Sequence, residues 1–569
     1  MLGARRRKPD RSRNSPGWRS ERKTVAILFA VAIVLYLPGI WWGLPYATAP
    51  DRVKAWGSDE LAPLGPIAEL YSVFVHPNPT FNPQYPLFHY IVQALAVGPY
   101  VLALWLTGQL SQPSVEYPYG LSDPVTALAV MTLLARSMSL LMAAGVVVIA
   151  YKTATILWDS RAGIIAAVLV LLMYPMFYYS RTSNVDMAAL FWTSLGLAVF
   201  AACLRDSLTP RRAAWLGVFA ALATATKDQS YATFLIIALV LLPWHLRQQH
   251  LQGHGWANIW PAPIVGFLTV LGVYAISSGF VLHLGRYLSH VSFIIHGSPY
   301  TWGGTSYGTA AGISDYLSLV SESTVHIVDS LSAPVAVCSA VGMVLCMVRN
   351  PQPLLFAVPI LGTLLGVIFP ARFVLFRFVM VMAYIFAFFA AYTLATALQA
   401  RRPIIRRAAQ MSLLIACGLP LLRGADLTYQ MIYDARYDMA AWFQQHAKPG
   451  DDIGFYGAPD KLPPLDYGVV TTPMPEQPIP AHLRNKYPIP TNNPPAKPEF
   501  VVVIPQQTFE PVHEKALPDD VYASLLDGSF GYRLVFEQQT RPWFPKRLIS
   551  FVNPHIKIFA RDDNVDKSP

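Results

Sequence analysis

Long apolar runs separated by short polar stretches dominate the chain from residue 24 to about residue 422. A helix rises about 1.5 Å per residue, so roughly 20 mostly apolar residues cross a bilayer core. Runs of this kind predict eleven spans, at 24–44, 126–156, 162–180, 187–204, 213–227, 230–246, 262–284, 331–348, 353–370, 373–398 and 408–422. The run at 86–108 is apolar enough to cross as well, but Gly98-Pro99 interrupts it and Pro86 opens it. It is expected to lie along the membrane surface or to re-enter. Past residue 422 the pattern turns polar, with proline concentrated between residues 457 and 498. Helix-like 437–448 and strand-like 452–457, 500–505 and 532–536 predict a small α/β domain there. The expected architecture is an α-helical polytopic membrane protein with about eleven transmembrane helices, juxtamembrane helices in the first outer loop and a C-terminal α/β domain. Its regions are a basic tail (1–23), a membrane domain (24–422, with its first outer loop at 45–125) and the C-terminal domain (423–569). No internal repeat is evident.

Composition agrees with many spans: 54% of the 569 residues are hydrophobic and 13% charged, against about 25% charged in soluble domains. The mean hydropathy is +0.37. A net charge of +10 does not imply nucleic-acid binding, because the cations flank the membrane. The tail holds Arg5, Arg6, Arg7, Lys8, Arg11, Arg13, Arg19, Arg22 and Lys23 against Asp10 and Glu21, and Arg401, Arg402, Arg406 and Arg407 precede the last span. These read as cytoplasmic. Segment 45–125 is acidic, with Asp51, Asp59, Glu60, Glu69, Glu116 and Asp123 against Arg52 and Lys54, and reads as the outer side. Ala47-Thr48-Ala49 resembles a signal cleavage site, but Pro50 behind it blocks cleavage, so the first run is read as an anchor. Eleven crossings put the C-terminus outside. With 86–108 on the surface, Asp59 and Asp186 share the outer face. Cys203, Cys338, Cys346 and Cys417 lie in apolar runs and suggest neither disulfides nor metal.

Candidate chemistry gathers on that face. Asp59 and Glu60, in GSDELAP, could take a proton from a hydroxyl nucleophile, with partial desolvation raising their basicity; they could equally be solvated loop acids. Arg181 and Asp186, in SRTSNVDM, belong to a turn between spans and could be an ion pair or an interfacial anchor. Lys227-Asp228 breaks an apolar stretch, and a mid-membrane charge costs on the order of 3 kcal/mol, so it marks a hairpin tip or a polar cavity. Arg372 and Arg377 stand outside against the positive-inside bias, as anchors or as bidentate partners of a lipid phosphate. His283, His290 and His296 lack metal-ligand spacing.

The order of GSDELAP, NPQYPLFHY, RTSNVDM, LATATKDQSY and the late arginines resembles the GT-C superfamily of polyprenyl-phosphate-sugar-dependent glycosyltransferases. The similarity is to the family 39-like branch of protein O-mannosyltransferases and lipid A aminoarabinose transferases, and it covers roughly residues 24–400. The stretch ALATATK lacks the glycine common before the family's lysine, and the C-terminal domain carries no assignable motif. The resemblance implies inverting transfer of a sugar from a polyprenyl-phosphate donor to a hydroxyl acceptor (protein, lipid or polysaccharide) at the outer face of the plasma membrane. Asp59 would be the general base, with Glu60 and Asp186 shaping the site and binding the acceptor or an optional divalent cation (Mg²⁺ or Mn²⁺). Arg181, Lys227, Arg372 and Arg377 would hold the donor phosphate, and Tyr85 and His89 would line the acceptor and lipid path. Two rival readings are a lipid or sugar transporter or flippase, which would need broken helices at the midplane, and a non-catalytic membrane scaffold.

Overall fold

The computed structural model describes residues 18–76, 81–297, 312–456, 459–474, 498–504, 517, 519–546 and 548–562. The expected basic tail before residue 18, the side chains of Arg19 and His296, and most of the proline-rich stretch lie outside the described residues.

The chain is a multi-pass membrane protein. The opening helices are α1 (Trp18–Tyr36), α2 (Gly65–Phe74), α3 (Leu87–Leu106), α4 (Pro124–Leu157), α5 (Ser160–Leu171), α6 (Tyr174–Tyr179), α7 (Val185–Arg205), α8 (Pro210–Thr226) and α9 (Ser230–Leu251). Among the described residues, seven helices are long and apolar enough to cross a membrane: α3, α4, α7, α9, Gln352–Ala371, Phe376–Leu398 and Pro403–His446. Ile313–Leu331 and Ala333–Arg349 make an eighth if the pair, bent by 111°, is one broken span. Shorter apolar helices are α5 and Pro261–Ser277.

Caps fix several starts. Asp123 accepts from Thr126 N, Asp159 from Arg161 N and Ala162 N, and Thr209 from Arg212 N, while Pro124 and Pro210 fill first-turn positions that lack a helical partner anyway. The span expected at 162–180 is split after Leu171, just ahead of Pro175. Ile313–Leu331, which the expected spans omit, is a helix whose polar residues hid it from an apolar-run reading.

Helix α3 is continuous through Pro99, so Gly98-Pro99 does not interrupt it. Near its start Gln93 donates to Ser183 O (3.4 Å), beside Asp186. Near its end Leu110 N donates to Leu104 O, and Leu110 bridges to Leu121 just before α4. These contacts lie just before α7 and just before α4, at one face of the bundle. The opposite face carries the Lys152–Glu21 pair and the Arg205–Asp206–Arg212 cluster.

Close helix approach depends on small residues, as expected where lipid supplies no hydrophobic drive between helices. A Cβ on Gly342 would stand 2.1 Å from Phe389 O, a backbone atom of the facing helix. Gly342→Ala should therefore destabilise the protein by about 1–3 kcal/mol, measured as a lower thermal-unfolding midpoint in detergent.

The last membrane helix continues past residue 422 to Ile432, so the expected domain boundary at 422/423 falls inside it. Beyond it, helix Ala435–His446 packs on a five-stranded sheet of order β2-β1-β3-β5-β4. The strands are β1 (Asp452–Phe455), β2 (Val470–Pro473), β3 (Phe500–Val503), β4 (Tyr532–Gln538) and β5 (Ile556–Arg561). β1 pairs in parallel with β2 and β3, and β5 pairs antiparallel with β3 and β4. Strands β1, β3 and β4 coincide with the strand-like segments expected from sequence, whereas β2, β5 and helix Asp519–Leu526 lie outside them.

This domain is clamped to the first loop. Asp434 and Arg436 pair at 2.8 Å with no side-chain exposure. Asp434 also accepts from Trp42 Nε1 (2.9 Å) and Asn553 N (2.7 Å). The Arg436 guanidinium lies 3.8 Å from the Trp56 ring centroid and 5.6 Å from that of Trp42. Gly43, in the left-handed region at φ +54, turns the chain against Trp56 and donates to Tyr437 Oη (2.8 Å).

Candidate active site

Asp59 stands in the left-handed region (φ 59), which Asp tolerates better than most residues. The turn is held because Ser58 N donates to Tyr178 Oη at 3.1 Å. The Asp59 carboxylate pairs with Arg377, which is carried on the 3-10 turn Phe376–Val379. Lys227 ends α8 in an extended conformation and donates to Asp186, in the first turn of α7, at 2.5 Å. Its ammonium lies 5.5 Å from the Phe378 ring centroid. The Lys227-Asp228 dipeptide thus sits at the turn between α8 and α9, a hairpin tip, the first of the two placements expected for it.

The two ion pairs form one cluster. Burial alone would raise Asp59, but Arg377 outweighs it, with Lys227 and Lys461 adding to the pull, and the carboxyl rests below its usual range. The expectation that desolvation raises its basicity is therefore corrected: the ion pair wins. Tyr85 reaches the same place. Burial and then the Asp59 carboxylate push its phenol well above the ordinary value, so it stays a neutral donor. The Tyr179 ring is buried, and its hydroxyl feels Asp186, Arg377 and Asp59. Arg372 sits on the same segment as Arg377, exposed, at a left-handed helix end (φ 59, ψ 23).

Three expected residues serve elsewhere. Arg181 is fully buried and donates to the carbonyls of Tyr36 (2.7 Å), Leu35 (3.0 Å) and Phe177 (2.7 Å). It pegs α1 to α6, so its expected phosphate role and any pairing with Asp186 are set aside. Glu60 faces away from Asp59 and forms a two-pronged pair with Arg136 (3.1 and 3.0 Å) while accepting from Ser183 N (3.1 Å). It ties the first loop to α4 and to the turn before α7, which makes it a brace. His89 is 2% exposed and sits 3.3 Å from Gln93, under that turn and not in an open path.

A scaffold outside the expected site residues carries Tyr85. Glu69 of α2 and Arg286 of helix Leu284–Ser292 pair at 2.8 Å with almost no exposure. Arg286 also donates to Tyr85 O (2.6 Å), and Glu69 accepts from Asn82 N (2.9 Å). His290 bridges Pro83 O (2.6 Å) and Asp228 Oδ1 (3.2 Å), joining the Tyr85 loop to the Lys227 turn. His283 caps the same helix by accepting from Arg286 N. A lone Arg136 inside an apolar run was the one legible signal for this class of residue, since a charge at that depth must find a partner.

The donor set suits no divalent ion. Among the described residues no three His, Cys, Asp or Glu side chains gather as ligands, and Asp59 and Asp186 are each already neutralised by a cation. What the arrangement can do is bind an anion between cations beside a carboxylate.

No protein-family model and no curated protein matches the chain. Solved structures do. ArnT from Cupriavidus metallidurans bound to undecaprenyl phosphate is 14% identical, with 94% of this chain and 98% of that one covered and a TM-score of 0.51. The archaeal oligosaccharyltransferase AglB from Archaeoglobus fulgidus, in complex with an inhibitory peptide and a dolichol-phosphate, aligns at 14% identity. There 76% of this chain and 59% of that one are covered, with a TM-score of 0.43. The likeness to ArnT identifies the fold: the chain has the GT-C architecture, helical in the membrane with a small sheet near its C-terminus.

Proposed function

We propose that this protein is a membrane glycosyltransferase that moves a sugar from a polyprenyl-phosphate donor to a hydroxyl acceptor at the extracytoplasmic face, with inversion. The observation that carries the reading is the convergence of Asp59, Asp186, Lys227 and Arg377 at one face of a GT-C fold. The N-terminus then lies in the cytoplasm, in keeping with the basic tail and the Arg401–Arg407 cluster. A lipid-linked donor fits this side, because nucleotide sugars are not supplied there and the sequence has no phosphate-cradling glycine-rich loop. In ArnT the same fold holds undecaprenyl phosphate, the carrier class proposed here.

The chemistry follows from the ion pairs. A donor phosphate arriving beside Lys227 and Arg377 competes with Asp59 for the guanidinium, which suits phosphate bidentately. As Arg377 turns to the phosphate, Asp59 loses the partner that keeps it a weak base. The acceptor oxygen attacks the anomeric carbon from the face opposite the phosphate and gives its proton to Asp59. The anomeric C–O bond breaks, and the polyprenyl phosphate leaves with the electron pair, stabilised by Lys227, Arg377 and Arg372. Tyr85 orients the acceptor or a phosphate oxygen as a neutral donor. Asp186 holds Lys227 in place.

The test is incubation of the protein in lipid nanodiscs with radiolabelled undecaprenyl-phosphate sugars and a hydroxyl-acceptor panel. Transfer of label with release of undecaprenyl phosphate is expected. Lys227→Met should raise the donor KM by about tenfold or more, since a charged hydrogen bond contributes about 1.5–3 kcal/mol. No transfer from any polyprenyl-phosphate sugar, with intact protein, would count against the reading.

A further inference from the structure

The C-terminal domain sends an arm, residues 459–471, along the first loop. Thr48 donates to Leu465 O (2.5 Å), Arg52 to Val469 O (2.6 Å), and Thr471 bonds Asp51. At the arm's tip the bonding is reciprocal: Lys461 Nζ donates to Trp56 O (2.8 Å) and Trp56 Nε1 donates to Leu462 O (3.0 Å). Trp56 begins the short turn that ends at Asp59, three residues on, with its left-handed backbone. An arm so fastened does more than attach a domain, because it delivers a cation to the catalytic turn.

We propose that Lys461 is a positioning residue of the site: through Trp56 it sets where Asp59 stands, and its ammonium joins Arg377 and Lys227 around that carboxylate. The C-terminal domain is thereby a component of the active site. The groups facing Asp59 are Arg377, Lys227 and Lys461 as cations, with the phenols of Tyr85 and Tyr179. Arg377 supplies the largest attraction, and Lys461 adds to it in the same direction. When a donor phosphate draws Arg377 away, Lys461 stays fastened to the Asp59 turn through Trp56 O, so its charge adds to that of Lys227 in setting how basic the freed carboxylate becomes. This last step rests on the transferase reading; the positioning itself does not.

Labelling with dicyclohexylcarbodiimide tests it, since the reagent adds to protonated carboxyl groups and peptide mass spectrometry separates Asp59 from Glu60. The full-length protein is titrated from about pH 8 downward, through the range where carboxyl groups ordinarily protonate. In Lys461→Gln, which keeps a donor for Trp56 O but loses the charge, the labelling midpoint of Asp59 should move to higher pH with the melting midpoint little changed. Lys461→Met should move it further, and Lys461→Arg should label like the native chain. Native-like labelling in Lys461→Gln would overturn the proposal, as would an equal shift in Lys461→Arg, which would assign the effect to packing. Labelling is independent of transfer, so the expected shift together with no transfer would count against the reaction and leave the role of Lys461 standing.

Discussion

Asp59→Asn should lower the turnover rate by about 10²–10⁴-fold, the usual worth of a positioned general base, while leaving the donor KM unchanged or reduced. The asymmetry follows from the ion pair. An amide of the same shape cannot take a proton from the acceptor, so the rate falls. It also no longer holds Arg377 as a counter-ion, so the guanidinium is freer to receive a phosphate and binding does not suffer. The two constants should be measured together in nanodiscs, with protein level and melting midpoint as controls. A variant that turned over at the native rate would remove Asp59 from the reaction. One that lost rate only through a raised KM would make it a binding residue. The loss should be larger than that from Glu60→Gln, whose carboxylate braces Arg136 and Ser183 away from the cluster.

Asp434→Ala should cost about 3–5 kcal/mol, the range for breaking a buried pair by removing one partner. Asp434 and Arg436 have no side-chain exposure. With the carboxylate gone, the guanidinium is left between Trp42 and Trp56 without a counter-charge, and Trp42 Nε1 and Asn553 N lose their acceptor. The clamp joins the sheet domain to the first loop, so the loss should appear as earlier domain release. Limited proteolysis near residue 433 and a lower unfolding midpoint would report it. Pairing the change with Arg436→Met should recover part of the stability, because the penalty comes chiefly from an uncompensated charge. No recovery would mean that the aromatic contacts of Arg436, and not its charge, hold the junction. Transfer should fall with the clamp, since the arm bearing Lys461 belongs to the domain it secures.

Apolar runs and proline are enough to reveal a polytopic chain, because the bilayer punishes every uncompensated polar group. The helices α4, α7 and Phe376–Leu398 fall within a few residues of their expected bounds, and Asp59, Asp186, Lys227 and Arg377, far apart along the chain, stand in two neighbouring ion pairs. What sequence could not assign was partnership. Arg181 and Lys227 look alike along the chain, each a lone cation beside an apolar run, yet one is spent on three backbone carbonyls and the other meets Asp186. Asp59 and Glu60 are neighbours, but a left-handed turn sends one to Arg377 and the other to Arg136. Lys461 carries no local signal at all, since its role exists only where a distant arm meets the first loop. A single chain thus dictates which residues must be solvated or spanned, through free energies local to each segment. Only the tertiary fold decides which charges neutralise one another, because Coulomb attraction and desolvation depend on distances that the backbone sets across hundreds of residues.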